Sequence, residues 1–157
     1  MPRFRGLLVV KYMAIFQADV QALLDDLIPF ACQMLSEEGE FLPFGACTNS
    51  DGSIVWEGAS NGDELPLSRE LIDILHNTHR KLAATHEIRA CAVVYDIRAV
   101  PPGKGEKQDA ICVAIDHITV HSIHQVYPYR IDASGNVEID ESYTVNRKTS
   151  IFSRPNA

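Results

Sequence analysis

The sequence predicts an α+β domain: a single antiparallel sheet of about five strands with two main helices, in the order α-β-β-α-β-β-β. Two stretches repeat apolar residues at helical spacing, and several short runs are rich in β-branched and aromatic residues. Turn-forming residues lie between those runs. With 157 residues, 46% of them hydrophobic, the chain is long enough for one real core and too short for two ordinary domains. The expected division is an N-terminal extension over 1–15, one domain over 16–145 and a loose tail over 146–157.

The first helix is expected from Phe16 to Glu38. Val20, Leu23, Leu24, Leu27, Ala31, Met34 and Leu35 form its apolar side, with Asp25, Asp26, Gln33 and Glu37 opposite. Gly39 ends it. Pro29 lacks a backbone donor and crowds the preceding turn, so a kink or a split into two short helices is expected there.

Strands follow at 43–48 and 53–57, around the turn residues Asn49, Ser50, Asp51 and Gly52. The segment GASNGDELP reads as a loop. A second helix is expected over 67–85, with Ser68 as its cap, Glu70 in its first turn and Arg80 and Lys81 near its end. Leu71, Ile74, Leu75, Thr78 and Leu82 form its buried stripe, and His76 and His79 are expected at the solvent edge of that stripe.

The rest is β. EIRACAVVYDIRAV, DAICVAIDH and TVHSIHQVYPYRI are strand-like, and a short NVEI strand follows a turn over 133–136. In the tail, Ile151 and Phe152 are the expected anchor. The loop PPGKGEKQ has Gly and Lys but lacks the G-x-x-x-x-G-K-[ST] pattern and a following helix, so it reads as an exposed hairpin loop.

This element order resembles that of roadblock/LC7 and profilin-like domains. At the residue level, the run Glu38 to Gly52, EGEFLPFGACTNSDG, resembles the opening of an uncharacterised bacterial family with an E-x-G-x-F-x-P-F-G signature followed by D-G. The likeness extends through IRACAVVYDIR and the later PYR, covering most of residues 17 to 131. It implies kinship and carries no activity, cofactor or site.

Composition narrows the function classes. A net charge of -7 without a clustered Lys/Arg stripe excludes the positive face that nucleic acid requires. Cys32, Cys47, Cys91 and Cys112 are scattered among apolar neighbours and read as buried core residues of a reducing cytoplasm. The N-terminal MPRFRGLLVVKYMAIF has a basic start, but Lys11 interrupts its apolar run and no small-residue cleavage site follows. No membrane span is expected, because no apolar run reaches the roughly 20 residues a bilayer demands. Met13 is a second possible start.

The stretch DHITVHSIH, residues 116 to 124, carries the chemistry that most needs weighing. His117 and His121 have the spacing of a zinc-binding helix, but Ile118 stands where a general-base Glu belongs, and the β-branched neighbours favour a strand. A reversal near His117 and Ile118 is expected, with Asp116 facing Thr119, Ala114 facing His121 and Ile111 facing His124. That register puts Asp116 and His121 on one face of the sheet.

A second feature is the run of small residues Ala90, Ala92, Ala110, Cys112 and Ala114, which lets a helix or a second subunit approach or leaves a shallow pocket. Trp56, Asp116, His121 and Tyr127 are the candidate ligand-binding residues beside it. The leading expectation is a non-catalytic cytoplasmic domain that acts through protein contacts, as a homo-oligomer or with another protein. It has no cofactor or metal and no nucleic-acid or membrane partner. The second is a small-molecule binding or sensing domain, and the third a divalent-metal hydrolase using Asp116, His117 and His121.

Overall fold

The computed structural model describes residues 2 to 152, with side chains from Arg5 onward. Its elements are α1 (Pro2–Glu38), β1 (Phe44–Asn49), β2 (Ile54–Glu57), α2 (Ser68–Ala84), β3 (Ile88–Ala99), β4 (Gln108–His117), β5 (Ser122–Ile131), β6 (Val137–Ile139) and β7 (Tyr143–Arg147). Two helices and one open antiparallel sheet make this an α+β fold, as the sequence predicts. The strands run β2-β1-β3-β4-β5-β6, and β7 also pairs with β5. β5 shares its outer edge: β7 covers Ser122–Val126 and β6 covers Tyr129–Ile131.

The helices lie on opposite faces of the sheet. Alternation along the strands sends Phe44, Ala46, Ala90, Ala92, Val94, Ile111, Val113 and Ile115 to one face, where they meet Leu23, Leu27, Ala31 and Leu35 of α1. Those four α1 side chains are fully buried, and each leucine among them contributes roughly 1.5–3 kcal/mol through burial. The other face receives α2, which buries Leu71, Leu75 and His79 over β1 and β3. Covering on both sides explains why the middle strands read as continuous apolar runs rather than as alternating ones.

Several quoted positions of the E-x-G-x-F-x-P-F-G run have structural duties. Gly39 takes φ +78°, and its N–H donates to the Leu35 carbonyl at 2.9 Å, closing α1 in a left-handed cap. Phe41 and Phe44 are buried in the α1-side core. Gly45 lies under α2, where an added Cβ would stand 2.9 Å from the Ala92 carbonyl oxygen and 3.4 Å from both Leu75 and His79.

Several expectations are corrected. α1 is one helix of 37 residues, continuous through Pro29, and includes the stretch expected to be an extension. Pro29 is exposed, on the side of α1 that faces away from the sheet, where the carbonyl its ring leaves without a donor is open to solvent. From Arg5, α1 is also long and apolar enough to cross a membrane by length and composition. Its second half, however, packs on the sheet. Ser68 is the first helical residue rather than the cap, and Leu67 at the cap position makes no side-chain capping bond. β7 is a strand the sequence does not predict, and it takes in Asn146 and Arg147 of the expected tail; Ile151 and Phe152 bury beside Cys47, Ile88 and Cys91 as the anchor, and residues 153 to 157 of that tail lie outside the described ones.

The small residues divide between the faces. Ala90 and Ala92 lie under α1, whereas Ala110, Cys112 and Ala114 face the α2 side. They do not form one surface. Replacing Gly45 with Ala is expected to destabilise the protein by about 1–3 kcal/mol, because the added methyl meets rigid backbone. Denaturant unfolding at neutral pH measures the cost, and an unchanged midpoint would show that the Ala92 carbonyl of β3 gives way to the added methyl.

Candidate functional site

The histidine run is divided by a turn that no Gly or Asn marks. β4 ends at His117 and β5 starts at Ser122, with Ala114 opposite His124 and Asp116 opposite Ser122. The expected register is therefore off by three residues, and it is His124, not His121, that shares a face with Asp116. Between them Val120 adopts φ +66°, a left-handed conformation that costs a β-branched residue on the order of 1–3 kcal/mol.

Side-chain bonds hold this turn. His117, expected to be a turn residue, is fully buried at the end of β4, with Nε2 2.8 Å from Asp19 Oδ2 and Nδ1 2.8 Å from Thr119 Oγ1. The Thr119 backbone N–H also donates to Nδ1, at 3.2 Å. That nitrogen is therefore an acceptor, and the network assigns a neutral His117 carrying its proton on Nε2. Thr119 donates to His117 and accepts from His121 Nδ1 at 2.9 Å. Phe16 of α1 packs on both rings, with centroids 5.5 Å from His117 and 4.9 Å from His121.

Asp19 is the buried charge at the centre. Arg89 donates to it twice, from Nε at 3.0 Å and Nη2 at 2.8 Å. Burial pushes the Asp19 carboxyl up, but the hydrogen bonds from Arg89 and His117 outweigh this and hold it below the ordinary value. For His117 burial dominates and lowers its pKa despite Asp19. The arrangement is a saturated structural lock: each polar atom facing inward already has a partner, and none is left for a substrate or an ion.

The four candidate ligand-binding residues do not converge. Trp56 lies on β2 on the α1 side, stacked with Phe44 at 5.8 Å and edge-on to Phe30 at 5.3 Å. Tyr127 is on the same face four strands away, half-buried against the core. Asp116 is on the α2 face, where its carboxylate accepts from the Thr149 hydroxyl at 3.1 Å. His121 is exposed at the turn. An open cleft of about 670 Å³ beside Phe41, Leu65 and Asp96, and another of about 1090 Å³ around the exposed PPGKGEKQ loop, are lined by other residues.

Two features escaped the sequence reading. His79, expected at a solvent edge, is fully buried, and its Nε2 stands 3.0 Å from Glu57 Oε1, to which Cys47 Sγ also donates at 2.9 Å. Burial and the neighbouring carboxylate push the Cys47 thiol far up, so it is no nucleophile. Leu71, Leu75 and His79 are spaced by four, the signal that places His79 on the buried stripe.

The other feature is the exposed N-terminal half of α1. Leu7, Leu8, Val9, Val10, Tyr12, Met13 and Ile15 are each more than 40% exposed. This is an apolar arm that no other part of the chain covers among the described residues. No family model, curated protein or solved structure matches the chain.

Changing Asp19 to Ala strands the buried His117 N–H and is expected to cost about 3 kcal/mol or more. A pH effect also follows from His76, His117 and His124, each lowered chiefly by burial from an ordinary 6.5. The unfolded chain then takes up protons first on acidification. The stability they contribute is complete above about pH 6.5 and falls as pH drops toward the folded values. Unfolding free energies at about pH 7.5 and 5.5 should show this slope, and His117→Gln should flatten it; an equal slope in the variant would remove His117 from the account.

Proposed function

We propose that this chain is a non-catalytic domain that acts through protein contacts, as a homodimer joined by antiparallel pairing of α1 with α1 of a second copy. The observation that carries this reading is the exposed apolar arm from Leu7 to Ile15. A helix segment with exposed apolar side chains all round, interrupted by a single Lys, belongs inside a larger assembly.

Three properties of α1 favour a second copy as the occupant. The arm is basic, with Arg5 and Lys11, whereas the exposed side of the docked half is acidic, with Asp25, Asp26 and Glu37. Antiparallel pairing sets each basic half against the acidic half of the other copy. Ala14, Ala18 and Ala22 are exposed at intervals of four, so two helices can approach closely where they cross. Phe30, exposed 38%, and Trp56, exposed 42%, offer an aromatic patch at the far end of the helix for the partner's arm. Such a contact is isologous and closes at two copies.

A bilayer suits the arm less well. From Arg5 to Ile15 it extends about 16 Å at 1.5 Å per residue, roughly half the 30 Å of a hydrocarbon core, and the next charged residue, Asp19, is tied to the sheet. Likeness to roadblock/LC7 domains rests on element order alone and adds no residue to this reading. Kinship with the uncharacterised bacterial family is likewise proposed from its motif. A cytoplasmic setting is proposed on the free cysteines.

Sedimentation at micromolar concentration should give a mass near twice 17.4 kDa. Ala18→Glu or Val10→Asp should weaken association by roughly a hundredfold or more, because each puts an unpaired charge in the contact. A monomer at every concentration, association indifferent to both changes, or recovery of the arm on lipid vesicles instead would overturn the homodimer.

A further inference from the structure

The geometry points to a zinc-class metal site formed by Cys47 of β1, Glu57 of β2 and His79 of α2. Their ligand atoms, one thiol sulfur, one carboxylate oxygen and one imidazole nitrogen, all lie within 4.8 Å of one another. Donors around a single tetrahedral ion with bonds of about 2.0–2.3 Å stand roughly 3.3–3.8 Å apart, so these three lie within reach of one ion. Modest side-chain movement opens the present 2.9 and 3.0 Å contacts to coordination spacing.

A second observation points the same way. Glu57 Oε2 and His79 Nδ1 are buried and have no hydrogen-bond partner. The Glu57 side chain is 17% exposed and that of His79 fully buried. A carboxylate oxygen buried without a donor normally signals an ion or a water. Here one oxygen of Glu57 already accepts from both Cys47 and His79, while the other has unused capacity beside them.

Donor chemistry selects the ion. A thiolate with an imidazole and one carboxylate suits zinc or a neighbouring late transition ion, whereas calcium and magnesium require several oxygens. Three protein donors leave a fourth position for water on the solvent side of Glu57. Binding converts the thiol to a metal-bound thiolate, so one proton leaves Cys47 for each ion bound. Because β2 is a four-residue edge strand held by β1 alone, an ion there would join β1, β2 and α2 at one point. The inference does not depend on the homodimer.

The test uses the full-length protein, stripped of metal and titrated with zinc and separately with cobalt. Expected are one ion per chain, release of about one proton, a thiolate-to-cobalt charge-transfer band and a raised melting temperature, with no effect of magnesium. Cys47→Ser and His79→Gln should weaken binding at least about tenfold, and Cys91→Ala should leave it intact. Should either first variant fail to fold, Glu57→Gln serves in its place, since it retains the shape and removes the charge. Absence of stoichiometric binding, a cobalt band that survives Cys47→Ser, or a band lost in Cys91→Ala would each overturn the site.

Discussion

The ion-paired hydrogen bond system at Asp19 determines where everything else on the α1 side can sit. A carboxylate on the sheet-facing stripe of a helix is costly to bury unless its charge is matched, and here Arg89 from β3 and His117 from β4 converge on it. Leu23, Leu27, Ala31 and Leu35 continue that stripe at intervals of four. Apolar burial would tolerate a helix shifted by a turn; the bidentate Arg89 contact does not, because only one position of α1 offers it a partner. Asp19 thus converts a sliding apolar contact into a fixed one, and Thr119 extends the same network to hold the strained turn at Val120.

This bears on how much of the molecule was legible in its sequence. The first hairpin and α2 were read to within a residue or two, because Asn49 to Gly52 and the Leu71–Leu75 spacing act locally. The three long strands were legible from β-branched content. Register was not: the β4–β5 turn uses Val120 in a conformation that local preference opposes, and side chains distant in sequence stabilise it. α1 was read from Phe16 because amphipathic pattern marks helices that pack on their own domain. The arm before it exposes apolar side chains all round and has no such pattern.

Spacing within DHITVHSIH does not disclose the bond between His117 and Asp19, whereas the spacing of Leu71, Leu75 and His79 does disclose the burial of His79. A histidine continuing a leucine stripe at i+4 is a buried histidine, and a buried histidine requires a partner. The same reasoning applies to Asp19, which precedes Leu23 by four. In both cases a polar residue occupies a position that the helical period assigns to the core. That violation of pattern is the local signal of a long-range contact.

The two helices therefore use one device on opposite faces of the sheet, with different outcomes. On the α1 side, Asp19 meets a fixed cation and a neutral histidine, and both oxygens of its carboxylate are hydrogen-bonded, so that cluster is rigid and chemically closed. On the α2 side, Glu57 meets only hydrogen bonds from Cys47 and His79, and polar capacity remains on both Glu57 and His79. Gly45 brings α2 close enough for His79 to reach the edge strand at all. The closed cluster suits a joint that sets the direction of the α1 arm, while the open one has unused lone pairs on Glu57 Oε2 and His79 Nδ1 beside a strand that needs support. Residual hydrogen-bonding capacity, rather than the presence of histidines, separates a structural polar cluster from one with chemistry still available to it.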